Sequence, residues 1–150
     1  MLNTAAALKT FFSGFRIPAY TLESVPETVS LPYITYPLIQ PEWNEQTSYY
    51  CQAWYPKNRL ADLLAKADEI AAAVGPSGYK IEVPGGWMVI YPSTPLIQIL
   101  TDEHTQSAYI GLAINVYQMP GYNPPAEETP EENQAEEENQ TPGENPEEGE

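Results

Sequence analysis

Residues 58–91 read NRLADLLAKADEIAAAVGPSGYKIEVPGGWMVIY, and this stretch decides the class of fold. In its first half Leu60, Leu63, Leu64, Ala67, Ile70, Ala71 and Val74 recur at the helical period, which predicts a helix over Asn58–Val74 that packs by one side. Asn58 is placed to cap its start, Asp62 lies in the first turn, and Gly75-Pro76 ends it. Asp62 and Lys66 are spaced as an i,i+4 ion pair on the wet face. In the second half the period changes to two. Tyr79, Ile81 and Val83 point inward while Lys80 and Glu82 point outward; Pro84-Gly85-Gly86 turns the chain and Trp87–Tyr91 returns as the second strand of a hairpin.

Working outward, Leu2–Ser13 reads as a short amphipathic helix. Leu8, Phe11, Phe12 and Phe15 share one face, and Gly14 stops it. Arg16–Ser30 holds Pro18 and Pro26 with little periodicity and reads as extended or loop chain. Leu31–Ile39 is a predicted strand that Pro32 and Pro37 push toward an edge or a bulge. Thr47–Tyr55 is a second, with Tyr49, Cys51, Ala53 and Tyr55 on one side and Ser48, Tyr50, Gln52 and Trp54 on the other. After the hairpin, Pro92–Gln106 reads as a connection carrying Leu96, Ile97, Ile99 and Leu100. Ser107–Tyr117 is the last strand, with Ala108, Ile110, Leu112, Ile114 and Val116 opposed to Tyr109, Gly111, Ala113, Asn115 and Tyr117. The expected architecture is α+β: a mostly antiparallel sheet of about five strands with two helices packed on one face.

Charge divides the chain. The 150 residues hold 6 Lys+Arg against 21 Asp+Glu, a net charge of −15. From Asn123 to Glu150 there are 11 Glu and no basic residue, so residues 1–122 keep 10 acids against 6 bases, or −4. The apolar residues lie almost wholly in the front part, which is large enough to bury a core without disulfides or metal. A globular domain over 1–122 is therefore expected, followed by a disordered Glu/Pro-rich tail over 123–150, where Glu131-Glu132-Asn133-Gln134 recurs as Glu137-Glu138-Asn139-Gln140. As a flexible coil the tail spans roughly 30 Å, more once its charge extends it.

The composition excludes several classes. A single cysteine allows no intrachain disulfide, which fits a cytosolic or otherwise disulfide-independent protein. No apolar run reaches the ~18–20 residues of a membrane span, and the start of the chain does not read as a signal peptide. Six scattered bases make no phosphate-binding surface, so specific nucleic-acid binding is not expected.

Catalytic chemistry is not expected either. His104, the only histidine, stands beside Asp102 and Glu103 in what reads as a polar loop, with no second His or Cys to complete a metal site. Cys51 reads as a small packed thiol rather than a nucleophile, Gly75-Pro76-Ser77-Gly78 as a turn, and Gly85-Gly86 lacks what a phosphate loop needs. No cofactor motif is present. Eleven Tyr and three Trp suit sheet packing, and they also suit a contact between subunits or a stacking surface for a peptide or carbohydrate. The candidate subunit or tube interface comprises Tyr50, Trp54, Leu96, Ile97, Ile99, Tyr109 and Tyr117. For the apolar segment around Leu96–Leu100 two readings stand: it folds onto its own core or it meets a neighbour.

Certain phrases carry a resemblance. They are the Phe-rich first helix closed by Gly14, Ile17-Pro18-Ala19-Tyr20, Ser24-Val25-Pro26, Leu31-Pro32-Tyr33-Ile34-Thr35-Tyr36, the Trp54-Tyr55 strand end, Lys66-Ala67-Asp68-Glu69-Ile70, Gly85-Gly86-Trp87 and Ile114-Asn115-Val116-Tyr117. In these, residues 1 to about 120 resemble the tail-terminator or head–tail joining proteins of long-tailed phages and prophages of Gram-positive bacteria, and are similar in layout to the lambda-type tail terminator. The resemblance implies a homo-oligomeric ring, hexameric in that family, that caps the tail tube and presents a surface to the head connector. It also implies a virion protein of the tail or neck, assembled in the host cytoplasm, with no cofactor, membrane or catalytic role. Another neck or minor structural protein is the nearest alternative, and a small peptide- or carbohydrate-binding module the next. The acidic tail lies outside the resemblance and reads equally as a solubiliser or as an electrostatic guard against acidic surfaces. Ending the chain after Tyr122 should leave one cooperative melting transition intact; its loss on truncation would show that the tail belongs to the fold.

Overall fold

In the computed structural model, which describes residues 2–121, the period-two segments line up into one sheet and the two helical segments cover one side of it. The elements run α1 (Leu2–Ser13), β1 (Ala19–Thr21), β2 (Tyr33–Tyr36), β3 (Gln46–Pro56), α2 (Leu60–Val74), β4 (Tyr79–Val83), β5 (Gly86–Thr101) and β6 (Thr105–Gln118). The fold is α+β. Its sheet order is β1-β2-β3-β6-β5-β4, with β1 and β2 parallel and every other neighbouring pair antiparallel. α1 packs against both outermost strands, β1 and β4, so the sheet curls around it. The expected acidic tail lies outside the described residues.

The core follows the sequence alternation. Tyr49, Cys51, Ala53 and Tyr55 of β3 and Ala108, Ile110, Leu112, Ile114 and Val116 of β6 are buried beneath Leu8 and Phe12 of α1 and Leu63, Ala67, Ile70 and Val74 of α2. Phe12 stacks on Tyr36 at 4.4 Å between ring centres, and the Tyr49 hydroxyl donates to the Pro37 carbonyl at 2.7 Å.

Four expectations are corrected. The sheet has six strands and is mixed, because Ala19–Thr21, within the stretch read as extended or loop chain, pairs in parallel with β2. Three residues are too few to show a period; the Ile34 amide donating to the Pro18 carbonyl at 2.8 Å starts the pairing. Pro92–Gln106 is no connection. β5 runs through it to Thr101, and only Asp102–His104 separate it from β6. Pro95 sits in a bulge and Pro92 at its border, where a missing N–H costs the ladder little. Pro92 lies opposite Leu112 and Ile97 opposite Ile110, so Ser93–Leu96 face Gly111 alone. A Cβ on Gly111 would collide with the Pro95 carbonyl oxygen, so this crossing requires glycine.

The other two corrections concern α2. It starts at Leu60 with Arg59 at the cap position and no side-chain cap, so Asn58 does not fill that role. Asp62 pairs back to Arg59 at 2.7 Å rather than forward to Lys66. Lys66 is not on the wet face. Its ammonium, on a residue only 9% exposed, donates to the Phe15 carbonyl at 2.6 Å and to Glu69 at 2.7 Å, which ties α2 to the end of α1. The Glu69 carboxyl is held below its ordinary range chiefly by that hydrogen bond. Leu60 and Leu64, counted with the apolar face, remain 42% exposed, and Tyr79 is exposed at the rim with its ring against Phe11.

The bulge yields a prediction. Gly111→Ala should lower stability by about 1–3 kcal/mol, because the added methyl meets backbone rather than a side chain that can turn away. An unchanged thermal midpoint would contradict the crossing.

Candidate functional site

A strand that buries one face must show the other, and here no described element covers the second face. The register assembles it. Tyr33 lies opposite Trp54, Gln52 opposite Tyr109, Tyr50 opposite Gly111, and Trp87 opposite Tyr117, so these side chains emerge on the side away from the helices.

The aromatics gather in three groups across the strands. Tyr20 contacts Tyr33, and Tyr33 stacks on Trp54 at 6.2 Å, whose indole N–H donates to the Thr35 hydroxyl at 2.9 Å. In the middle Tyr50 and Tyr109 stack at 4.9 Å with planes 18° apart. At the far side Trp87 stacks on Tyr117 at 5.9 Å. The Tyr117 and Tyr91 hydroxyls are 3.0 Å apart, and this hydrogen bond is the main cause raising the Tyr91 phenol above its usual range. The Lys80 ammonium lies 4.6 Å over the Trp87 ring. Such cross-strand pairs contribute roughly 0.2–1 kcal/mol each, so they brace the sheet and leave their outer surfaces half-buried rather than hidden. The strands β2, β3, β5 and β6 give this face phenols, indoles, amides and hydroxyls and, among the described residues, no charged group.

Four of the sequence-derived interface candidates, Tyr50, Trp54, Tyr109 and Tyr117, meet on this face. Leu96, Ile97 and Ile99 do not. They lie half-buried against the chain's own core, with Ile97 opposite Ile110 and Ile99 opposite Ala108. Of the two readings left open for that segment, the structure places these side chains on the core. Tyr20, Tyr33, Trp87 and Tyr91 belong to the face and were missed. For Trp87 and Tyr91 the signal was present, since they are two residues apart from Val89 and alternate with buried Met88 and Ile90.

The remaining candidates lie elsewhere. Asp102, Glu103 and His104 form the exposed β5–β6 turn, where the Asp102 carboxylate accepts from the Glu103 amide at 2.7 Å. Cys51 is fully buried on the helix side, and burial pushes its thiol well above the ordinary range. A cleft of about 550 Å³ opens between α1 and the segment before β3, lined by Thr4, Gln40, Trp43, Val83 and Val116. The Thr4 hydroxyl donates to the Gln40 side-chain carbonyl there at 3.2 Å.

No family model and no curated protein matches the chain. One similar solved structure, a protein identified by a sequence number alone, is 15% identical with a TM-score of 0.53, over 77% of this chain and 94% of that one. At that identity the likeness is one of fold.

Cys51 offers a check on the packing. A thiol reagent should label it only after unfolding, because the reactive thiolate is suppressed and the sulfur is enclosed. Rapid labelling in native buffer would show that the β3–α2 core opens.

Proposed function

We propose that this chain is a tail terminator of a long-tailed phage or prophage, a subunit of a homo-oligomeric ring that caps the tail tube and joins it to the head connector. One observation carries the reading beyond sequence phrases alone: five of the eight phrases each place an aromatic side chain on the same aromatic face. Tyr20 and Tyr33 come from the parallel β1–β2 pair, Trp54 from the end of β3, Trp87 from the hairpin and Tyr117 from the end of β6, and all five lie on that side of the sheet. A face made of Tyr and Trp, lacking charge across its four central strands, suits burial against another protein. In this reading Tyr50, Trp54, Tyr109 and Tyr117 contact the neighbouring subunit or the tube. The partners are further copies of this chain, the tube protein and the connector. The protein acts in the virion neck after assembly in the host cytoplasm, without cofactor, membrane or catalysis. A second reading, a peptide- or carbohydrate-binding module, draws on the same half-exposed stacked rings.

The two readings separate on size and phenotype. The terminator should form a ring-sized particle in light scattering and electron microscopy, and a phage lacking the gene should make tails of uncontrolled length. Tyr50→Ser with Tyr109→Ser should keep a cooperative melt and lose the particle. A strict monomer at high concentration together with tails of normal length would remove the terminator reading and leave the binding module.

A further inference from the structure

Four stretches of the sheet have a strand neighbour on one side only, and they are not alike. The Gln46–Cys51 end of β3 runs beyond β2, and the Tyr49 hydroxyl there is tied to the Pro37 carbonyl. β1 is three residues long and follows Pro18, and β4 carries Lys80 and Glu82. Short length, proline and charge are the usual means of preventing edge-to-edge pairing. The remaining stretch is the end of β5. β4 pairs with β5 only from Gly86 to Ile90, so Ile97–Thr101 is bonded to β6 on one side and to no described strand on the other. Its sequence, Ile97-Gln98-Ile99-Leu100-Thr101, has no charge and no proline and a high strand preference.

The hydrogen-bond parity of this edge can be read from its turn. The Asp102 amide donates to the Thr105 carbonyl at 2.9 Å, which makes 102 and 105 a bonded pair. In an antiparallel ladder bonded and non-bonded pairs alternate, so Leu100 with Ser107 and Gln98 with Tyr109 are bonded pairs too. Ile97, Ile99 and Thr101 therefore turn their N–H and C=O groups outward. Apolar surface flanks the edge on both sides. On the aromatic side Leu100 is 41% exposed. On the helix side Leu60, Leu64 and Ala71 form one stripe of α2, within ~40° around the helix. It leads into a groove of about 360 Å³ between Ala71, Ala72, Gly75 and Pro76 of the helix end and Pro92 and Leu96 of β5.

We propose that a second copy of this chain pairs with this edge, antiparallel to it, with the two-fold axis at Ile99. That register is self-complementary. Ile97 meets Thr101 of the second copy, Ile99 meets Ile99, and each outward N–H finds an outward C=O. Gln98 lies opposite Leu100 of the other copy on the aromatic side, and the exposed Leu60–Leu64 stripes overhang the junction on the helix side. Charge selects the direction. Parallel pairing would set the two Asp102-Glu103 turns side by side, whereas antiparallel pairing puts them on the order of 20 Å apart along the strands. The contact joins two six-stranded sheets into one. It is isologous, so it cannot close a ring by itself. Combined with a head-to-tail contact on the aromatic face it sets two rings back to back with equivalent ends, an assembly that must part before one ring can face tube and connector; the edge contact itself stands without any ring.

The test uses the full chain. Thr101→Pro removes an outward donor and no internal bond, and Leu100→Lys places a charge on the edge. In light scattering each should halve the particle mass while the melting transition stays cooperative. Leu100→Lys serves if Thr101→Pro fails to fold. Gln98→Cys with Leu100→Cys should cross-link two copies under mild oxidation, since those positions form the closer, non-bonded pair across the axis and Cys51 is enclosed. Halved mass with the cross-link supports the contact, whatever the aromatic face does. An oligomer whose mass neither edge variant changes would overturn the edge and leave the ring reading intact. Dissociation without the cross-link would overturn the antiparallel register, and a wild-type monomer at high concentration would overturn the contact altogether.

Discussion

The β3–β6 ladder sets everything else in this molecule. It runs unbroken from Gln46 opposite Asn115 to Pro56 opposite Thr105, in the middle of the sheet. Once that register is chosen, the period of two decides which side chains meet the helices and which face away. Tyr49, Cys51, Ala53 and Tyr55 join Ile110, Leu112 and Ile114 in the core, and Tyr50, Gln52, Trp54 and Tyr109 have nowhere to go but the other side. A slip of one residue would exchange the two sets, burying Gln52 and exposing fully enclosed Ile110 and Ile114. The cost of that exchange pins the register, and the aromatic face is its by-product before it is anything functional.

The helices depend on the same face and on one polar tie. Lys66 is nearly enclosed between α2 and the end of α1. A buried ammonium is tolerable only when its donors are used. Here one goes to the Phe15 carbonyl, two residues past the end of α1, and another to Glu69, which Arg16 also approaches at 3.4 Å. This cluster closes the domain at the point where α1 leaves the core, and it holds Phe15 in place beside Phe11. The rest of the closure is apolar, with α1 touching both outer strands of the curled sheet.

What was legible in the sequence was what periodicity can carry. The α2 stripe, the 79–91 hairpin and the two faces of β3 and β6 follow from spacing alone, because long elements with one buried side repeat their signal. The misreadings share a cause. In Pro92–Gln106 the proline at 95 and the apolar run Leu96–Leu100 break the alternation, yet the bulge opposite Gly111 resets the phase and the strand resumes. A window that assumes one phase cannot see through such a shift. Lys66 was assigned to solvent by residue type and by the nearby acid at i−4, whereas its direction is set by a carbonyl 51 residues earlier in the chain. Of the aromatic face, the four residues on β3 and β6 were found, while Trp87 and Tyr91 on β5 were missed although their period was present. Tyr20 and Tyr33 belong to strands too short to have a period.

The distribution of charge bears on both contact surfaces. A chain of net charge −15 repels its own copies, with 11 of its glutamates beyond residue 122 and −4 on the rest. Any contact between copies must therefore work against a standing repulsion, which salt screens over about 8–10 Å. Under that constraint a contact patch gains most by holding no acid of its own, since each carboxylate desolvated there would add a penalty to the repulsion already present. The two surfaces singled out by geometry meet this condition independently. The aromatic face carries no acid on its four central strands, and the Ile97–Thr101 edge carries none at all, while Asp102 and Glu103 begin one residue beyond it. Four of the six bases, by contrast, are spent inside the subunit or at its rim: Lys66 and Arg16 on Glu69, Arg59 on Asp62, and Lys80 over Trp87. Association would then be driven by apolar and aromatic burial and by backbone pairing, with charge acting only to forbid the arrangements that bring acidic turns or tails together.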